Sequence, residues 1–567
     1  MATTKGYWLP GWIHQQIITE STPFQSSAFI DGKPCQPNEP GSVTAHWPLL
    51  TGGPWEQLLQ LLVSARQQLP VGMEYWDRLG TALRTVGKRM TQPGDSLREQ
   101  ILRAVPGYTG YSRAMIELTL HSLELMSLDQ MAGAYILELE RLPTRDWAPM
   151  GELPGQLIYT YKSILGRLAH RLPGHPSRSA YSERKTPEFV LGYGAGNVPG
   201  TALLIALLAG STTLIGGPPP SVLVRNSRRE PIFTPLVLSA LEQVDPDLVN
   251  ATAVLVWDYD EASLQQHLLE HGDLVIAAAS DETIDRIRQQ IKASSTGISP
   301  AKKIRYHEHG HKVSFSAISR EILEKETAQE MGQTRLVDIL AVLAGLDSFY
   351  WDQYGCLSSR IHFIETGGGG CYSAAEYAES LYQQLHILSD ALPRGSAPLR
   401  LVRDSFDRYK MLEGQGEVRV VSEYQDKFLL LIDRRQLEPD EFSTTVNHCT
   451  GRVIIVRPVE DLMQVPTKYL KRIPSGNLQS LSVAFRNLDS GSNDRFLRFA
   501  KACARRGVTA IRTLGRGAFP QLAYSWDGLI PLDLVSEQSG GYFSPIEFDD
   551  AYQQILDTYR QFQPGRD

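Results

Sequence analysis

The sequence predicts an α/β protein: a doubly wound parallel sheet of the nucleotide-binding kind, followed by a second α/β domain. Three observations predict it. Between residues 189 and 292, four short apolar runs alternate with helical patterns, as strand–helix–strand units crossing over a parallel sheet require. A second series of alternating elements follows residue 330. A chain of 567 residues with 42% hydrophobic content can also fill more than one core.

Taken in order, residues 1–54 are rich in Pro, Gly and Ser and read as an irregular arm with a strand or two. From Trp55 the pattern is helical. A second helix carries Trp76, Leu79, Leu83, Val86 and Met90 on one face. More helix is predicted over 115–128 and 156–172, then a loop of Pro, Ser and Arg over 173–187. Strands are predicted at 189–193, 221–225, 251–257 and 273–278, with helices at 201–209, 231–244, 261–271 and 281–292 between and after them. The carboxyl ends of such strands are where a nucleotide sits. Beyond residue 330 come a helix over 336–346, a strand over 361–364, a hairpin of 417–424 with 427–433, a strand over 452–456 and a last apolar run at 507–512. The division expected is an arm (1–54), a helical region with the nucleotide sheet (55–310), a second domain (311–515) and a C-terminal segment packing back on the body (516–567).

Bulk properties exclude several classes. Net charge is −7, and the basic groupings are no longer than Arg228-Arg229, Lys302-Lys303 and Arg505-Arg506, so no nucleic-acid partner is expected. Five cysteines without a CxxC spacing give neither a disulfide framework nor a zinc ribbon and suit a reducing compartment. The first residues lack an apolar signal core. The most apolar window, 201–215, is short and interrupted by Gly210, Ser211, Thr212 and Thr213. The expectation is a cytoplasmic protein with no membrane span.

The residue that promises chemistry is Cys356, in Tyr350-Trp351-Asp352-Gln353-Tyr354-Gly355-Cys356-Leu357-Ser358-Ser359. It falls on a turn between a predicted helix and a predicted strand. Gly355 would let backbone approach a bound carbonyl, and polar flanks would keep the sulfur from being sealed in the core. A thiolate there can form a thioester or thiohemiacetal with a carbonyl substrate, although many free cysteines are simply small buried hydrophobes. Gly192-Tyr193-Gly194-Ala195-Gly196-Asn197-Val198-Pro199-Gly200 joins a strand to a helix. Its spacing is not that of a dinucleotide fingerprint. It is either a tight structural turn or a site where the Asn197 amide donates to a developing oxyanion. His307-Glu308-His309-Gly310-His311 has no catalytic zinc spacing and reads as a solvated or cofactor-lining loop. Thr366-Gly367-Gly368-Gly369-Gly370-Cys371 is not followed by Lys-Ser/Thr and reads as a flexible loop. Cys35, Cys371, Cys449 and Cys503 read as structural or incidental, Cys503 within a helix core.

Together these residues resemble the LuxC-type acyl-CoA reductases, the fatty acid reductases of bacterial bioluminescence and their relatives, distant members of the aldehyde dehydrogenase superfamily. The resemblance runs from about residue 192 to 535 through ordered blocks. They are Gly196-Asn197-Val198-Pro199-Gly200, residues 222–231, Asp273-Leu274-Val275-Ile276-Ala277, Gly310-His311-Lys312-Val313-Ser314-Phe315, the 347–356 block ending in Cys356, Gly507-Val508, and Trp526-Asp527-Gly528. It implies an aldehyde dehydrogenase-like cofactor domain and a catalytic domain carrying Cys356 as the nucleophile that accepts the acyl group. Asn197 falls where the superfamily places its oxyanion-stabilising asparagine. Arg225 falls near the basic residue that contacts the adenosine ribose or its 2′-phosphate, and an arginine there suits NADPH, with NADH left open. Ser280 and Gly310 are expected to line the cofactor. Relatives often carry a Gly pair where this chain has Ala277-Ala278-Ala279-Ser280. Glu308 stands where general aldehyde dehydrogenases keep a glutamate base, a position LuxC-type enzymes do not generally keep acidic.

The implied reaction is NADPH-dependent reduction of a fatty acyl thioester to the aldehyde. The substrate would be acyl-CoA or a carrier-bound acyl group, and an acyl-protein synthetase partner and a homo-oligomer are both compatible with it. The alternatives are an oxidative aldehyde dehydrogenase using Glu308 to activate water, a Cys356-dependent acyltransferase without a nucleotide, and a scaffold that kept only the fold.

Overall fold

The computed structural model describes residues 2–37, 39–125, 147–150, 153–161, 186–210, 213, 218–258, 261–295, 304–325, 335–367, 370–486, 489–518 and 543–561. The 526–528 block and most of the 173–187 loop lie outside them. The chain divides into two compact units. The first comprises Met1–Gly133, Pro176–His311 and Leu529–Gly540, and the second Ala134–His175, Lys312–Gly528 and Gly541–Asp567.

The first unit contains a small mixed sheet of β1 (Ala2–Lys5), β2 (Phe24–Ile30), β3 (Lys33–Cys35) and β4 (Val43–Pro48), in the order β1-β4-β2-β3. The sequence predicts an irregular arm here. The strands are short, and β2 alternates only weakly between exposed and half-buried positions, so their signal lies in pairing with the well-buried β4 and not in local periodicity. Helices Gly53–Arg66, Met73–Thr91, Ser96–Thr109 and Arg113–Leu125 follow.

Next come β7 (Phe189–Tyr193), β8 (Ser221–Arg225), β9 (Thr252–Leu255), β10 (Leu274–Ala278) and β11 (Arg305–His309), numbered after β5 and β6 given below. They form one parallel sheet in the order β11-β10-β7-β8-β9. Every residue of β7, β8 and β10 is buried, which is why these strands read as unbroken apolar runs. Their crossovers are Thr201–Ala209, Phe233–Val244, Ala262–His271 and Asp281–Ser295. The edge strand β9 is covered where the Trp8 and Val254 backbones exchange hydrogen bonds of 2.7 and 2.9 Å.

The second unit is built on a ten-stranded sheet, β14-β15-β16-β13-β12-β17-β18-β19-β6-β5. Its strands are β5 (Ala148–Met150), β6 (Leu153–Tyr161), β12 (Val313–Ile318), β13 (Ser359–Glu365), β14 (Val418–Val420), β15 (Leu429–Asp433), β16 (Val453–Val459), β17 (Leu478–Ala484), β18 (Ala510–Thr513) and β19 (Phe543–Phe548). It is parallel from β15 to β19 and antiparallel at both ends. The helix predicted over 156–172 is corrected as far as Tyr161, where the chain is strand β6, antiparallel to β19. Leu157 and Ile158 are both buried. Adjacent apolar residues fit a helix window and a covered strand alike, and the deciding partner lies near the other end of the chain. Residues 162–172 lie outside the described residues. The helix Leu336–Phe349, buried at nearly every position, leads into the turn that carries Cys356.

Candidate active site

Cys356 is half-buried and stands three residues before β13 on a turn of unusual backbone geometry. Trp351, Asp352 and Gln353 have φ of 54°, 49° and 64°, three consecutive left-handed residues without a glycine. Each such residue costs roughly 1–2 kcal/mol, somewhat less for Asp. Gly355 is not among the left-handed residues, which stand two to four positions before it.

Buried polar contacts hold this turn. Asp352 is 1% exposed, and its Oδ1 accepts from the Arg452 Nε at 2.8 Å and its Oδ2 from the Gly395 amide at 3.0 Å. Arg452, wholly buried, also donates to the Leu392 carbonyl at 2.8 Å and lies 4.2 Å from the centre of the Phe349 ring. Burial pulls the Arg452 guanidinium down to about 10, and Asp352 opposes the shift, so the guanidinium stays charged at neutral pH. The Gln353 amide spans two elements: Nε2 donates to the Ser359 carbonyl at 3.0 Å, and Oε1 accepts from the Val453 amide at 2.7 Å.

The Cys356 carbonyl accepts from the Ser314 hydroxyl at 2.7 Å, where the pairing of β12 with β13 shifts register, as bulges beside sites often do. Arg360, buried, donates to the Val446 carbonyl at 3.1 Å. Burial lowers its pKa, and the neighbouring Cys449 and Cys356 oppose that shift. The other cysteines are poorer nucleophiles. Burial pushes Cys449 up to about 12 and raises Cys503 strongly; Cys371 and Cys35 are raised as well.

In the first unit the chain runs β7, β8, β9 to one side and returns to β10 and β11 on the other. This reversal beside β7 is a topological switch point, and the crevice at the carboxyl ends of β7 and β10 is the expected ligand position. Asn197 lies in the turn leaving β7, exposed, with its carbonyl accepting from the Tyr111 hydroxyl at 2.5 Å. Gly196 is required there: a Cβ would sit 2.2 Å from the Ser227 hydroxyl. Glu230 ties this turn to the next. Its buried carboxylate accepts from the Ile232 and Phe233 amides at 3.1 and 2.8 Å and from the Gly200 amide. Burial pushes Glu230 up to about 7, and those donors oppose the shift.

Arg225 ends β8, buried, with Nε donating to the Trp257 carbonyl at 2.7 Å. Ser280 follows β10, its hydroxyl 3.1 Å from that of Thr283 at the start of the Asp281–Ser295 helix. Gly310 follows β11, where a Cβ would lie 2.3 Å from the Asp281 Oδ1 that accepts from the His311 amide at 2.6 Å. Asn197, Arg225, Ser280 and Gly310 thus share the carboxyl edge of one parallel sheet. Its backbone-lined turns, the close-approach glycine and a buried guanidinium fit a dinucleotide.

Glu308, the penultimate residue of β11, pairs through its carboxylate with Arg288 at 2.6 Å on the neighbouring helix. His307 projects to the opposite face of the strand from Glu308, and burial draws it down to about 4, with Arg305 adding to the effect, so it is neutral. Sequence reading missed Asp352, Gln353, Arg360, Arg452 and Glu230. Asp352 and Gln353 stood in the quoted motif, but their partners Arg452 and Val453 lie about a hundred residues further on.

The assembled fold is that of the aldehyde dehydrogenases. The chain is similar to an NADP-dependent glyceraldehyde-3-phosphate dehydrogenase from Bacillus halodurans C-125, with a TM-score of 0.52 and 12% identity over 94% of this chain and 97% of that one. It is similar also to a 1-pyrroline-5-carboxylate dehydrogenase, with a TM-score of 0.53 and 12% identity over 96% and 93%. Within that fold the chain belongs to the acyl-CoA reductase (LuxC) family, whose model matches residues 161–537. Relatives include proteins named long-chain acyl-protein thioester reductase. The one from Vibrio harveyi is 23% identical over 79% of each chain. The one from Aliivibrio fischeri is 24% identical over 80% of this chain and 79% of that one. Among the described residues, no helix is long and apolar enough to cross a membrane.

Proposed function

We propose that this protein reduces a long-chain acyl thioester, presented on CoA or on a carrier protein, to the aldehyde through an acyl-enzyme on Cys356, with NADPH as reductant. The observation that carries this reading is a half-buried thiol on a clamped left-handed turn, in a chain of the acyl-CoA reductase family. The Cys356 thiolate attacks the thioester carbon, and the tetrahedral adduct expels the carrier thiolate, leaving acyl-Cys356. A bound reduced nicotinamide supplies the hydride that brings the acyl carbon to the aldehyde oxidation level. The resulting thiohemiacetal on Cys356 collapses, releasing aldehyde and restoring the thiolate. Stabilisation of the oxyanion is worth about 3 kcal/mol of barrier per donor, and the Asn197 amide is the donor proposed for that role.

Arg225 grips the adenosine ribose or its 2′-phosphate, Ser280 donates to the cofactor phosphates, and the backbone at Gly310 lines the same site. The relatives' names speak of an acyl-protein thioester, which favours an acyl group carried on a protein as the substrate. The oxidative alternative asks Glu308 to act as base, and the Arg288 pair argues against that role. The decisive assay follows NADPH consumption over acyl-CoA thioesters of graded chain length, with aldehyde detected directly. Thioester turnover without aldehyde would favour the acyltransferase.

Two variants probe the assigned roles. Arg225→Glu is expected to weaken NADPH by about tenfold or more while affecting NADH far less, read by fluorescence titration of each cofactor. Equal losses would mean that Arg225 serves only to hold the Trp257 carbonyl. At position 197, Asp is expected to be worse than Ala, because a carboxylate opposes the developing charge as well as removing the donor. Each should lower turnover by about a hundredfold with the melting temperature near wild type. Were Asn197 only a turn residue, Asp would be the milder change.

A further inference from the structure

Away from the thiol and the carboxyl edge of the sheet, a cluster on the first unit has the chemistry of a metal site. Glu56 lies on the Gly53–Arg66 helix, and His267 and His271 lie one turn apart on the Ala262–His271 helix, the spacing that sets two imidazoles on one face. One ligand atom from each residue falls within 4.8 Å of the others. The His267 Nε2 and Glu56 Oε2 are 3.0 Å apart, and the two imidazole rings stand 4.8 Å apart, centre to centre, at 70°.

Two supporting contacts orient these ligands. The His271 Nδ1 is 3.0 Å from the His267 carbonyl. A carbonyl can only accept, so Nδ1 carries the proton and Nε2 is the basic nitrogen, the tautomer a metal ligand needs. The second oxygen of Glu56 accepts from the Gln60 amide at 3.2 Å, which fixes the carboxylate plane. Trp55, next to Glu56, packs edge-on against Trp257 with ring centres 5.6 Å apart, seating the carboxylate-bearing helix against the sheet. The helices therefore do not need to move far to close on an ion.

We propose that Glu56, His267 and His271 form a three-ligand site for a divalent transition-metal ion of the Zn2+ class, with solvent completing the coordination, and that the ion ties the Gly53–Arg66 helix to the Ala262–His271 helix. Two imidazoles and one carboxylate are a donor set Zn2+ takes in tetrahedral sites with an open position. The ion would take the place of the direct His267–Glu56 contact.

The test is calorimetric titration of Zn2+ into tag-free, chelator-treated protein in the Cys356→Ser background, so that this thiol cannot compete. One equivalent should bind and raise the melting temperature. His267→Ala, His271→Ala and Glu56→Gln should each weaken Zn2+ by about tenfold or more, and Gln60→Ala by about tenfold as an outer-shell change. Without metal, the melting temperature of Glu56→Gln should stay near the background value, separating ligand loss from misfolding. Absence of binding at saturating Zn2+, or undiminished binding and thermal shift in the triple variant, would overturn the site.

Discussion

Cys356→Ala is expected to abolish aldehyde formation, lowering turnover on the order of a thousandfold or more, while NADPH binding and the melting temperature stay near wild type. The thiol supplies the bond that holds the acyl group, and no other cysteine is placed to take over. Cys449 and Cys503 are buried and held in the thiol form, and Cys371 is shifted the same way, whereas only the thiolate attacks a thioester. Cys356→Ser should fall nearly as far, because a serine hydroxyl ionises far less readily than a thiol and is the poorer nucleophile. Steady-state aldehyde production alongside a cofactor titration measures both halves of the expectation. Full activity in either variant would remove Cys356 from the reaction.

Arg452→Ala should be the most destabilising single change around the site. It leaves the Asp352 carboxylate buried without its cation, a situation that costs about 3–5 kcal/mol, and it releases a turn carrying three left-handed residues. Chemical denaturation should show this loss. Asp352→Leu combined with Arg452→Met separates stability from geometry. Apolar replacement of a buried pair is often neutral or stabilising, so the double variant should regain most of the stability. Its aldehyde formation should remain low, because the contacts from position 352 to Arg452 and to the Gly395 amide are gone and the turn that presents Cys356 is less firmly held. A double variant that regained both would show that the turn forms without the pair.

The parts of this molecule that can be read from sequence are those whose signal is local. Strands β7, β8 and β10 are covered on both faces, so their runs of Val, Leu and Ile stand out beside the helices between them. Cys356 stands out because a thiol between a helix and a strand has few structural reasons to be there. What escapes reading depends on partners far away. Strand β6 is set by β19, the small N-terminal sheet by β4, and the Asp352 turn by Arg452, a hundred residues on. Glu230, inside a run of charged residues, looks like surface until the Ile232, Phe233 and Gly200 amides close on it. The His267–His271 spacing is visible in the chain, but Glu56, which completes the set, is more than two hundred residues upstream.

The proposed chemistry rests on a covalent acyl group at one sulfur. Wild-type protein mixed with a long-chain acyl-CoA, without NADPH, then digested and analysed by mass spectrometry, should carry the acyl mass on the peptide containing Cys356. Adding NADPH should clear that mass and release one aldehyde per adduct. An adduct on Cys35, Cys371, Cys449 or Cys503 instead, or aldehyde formed with no acyl-enzyme at any stage, would contradict it.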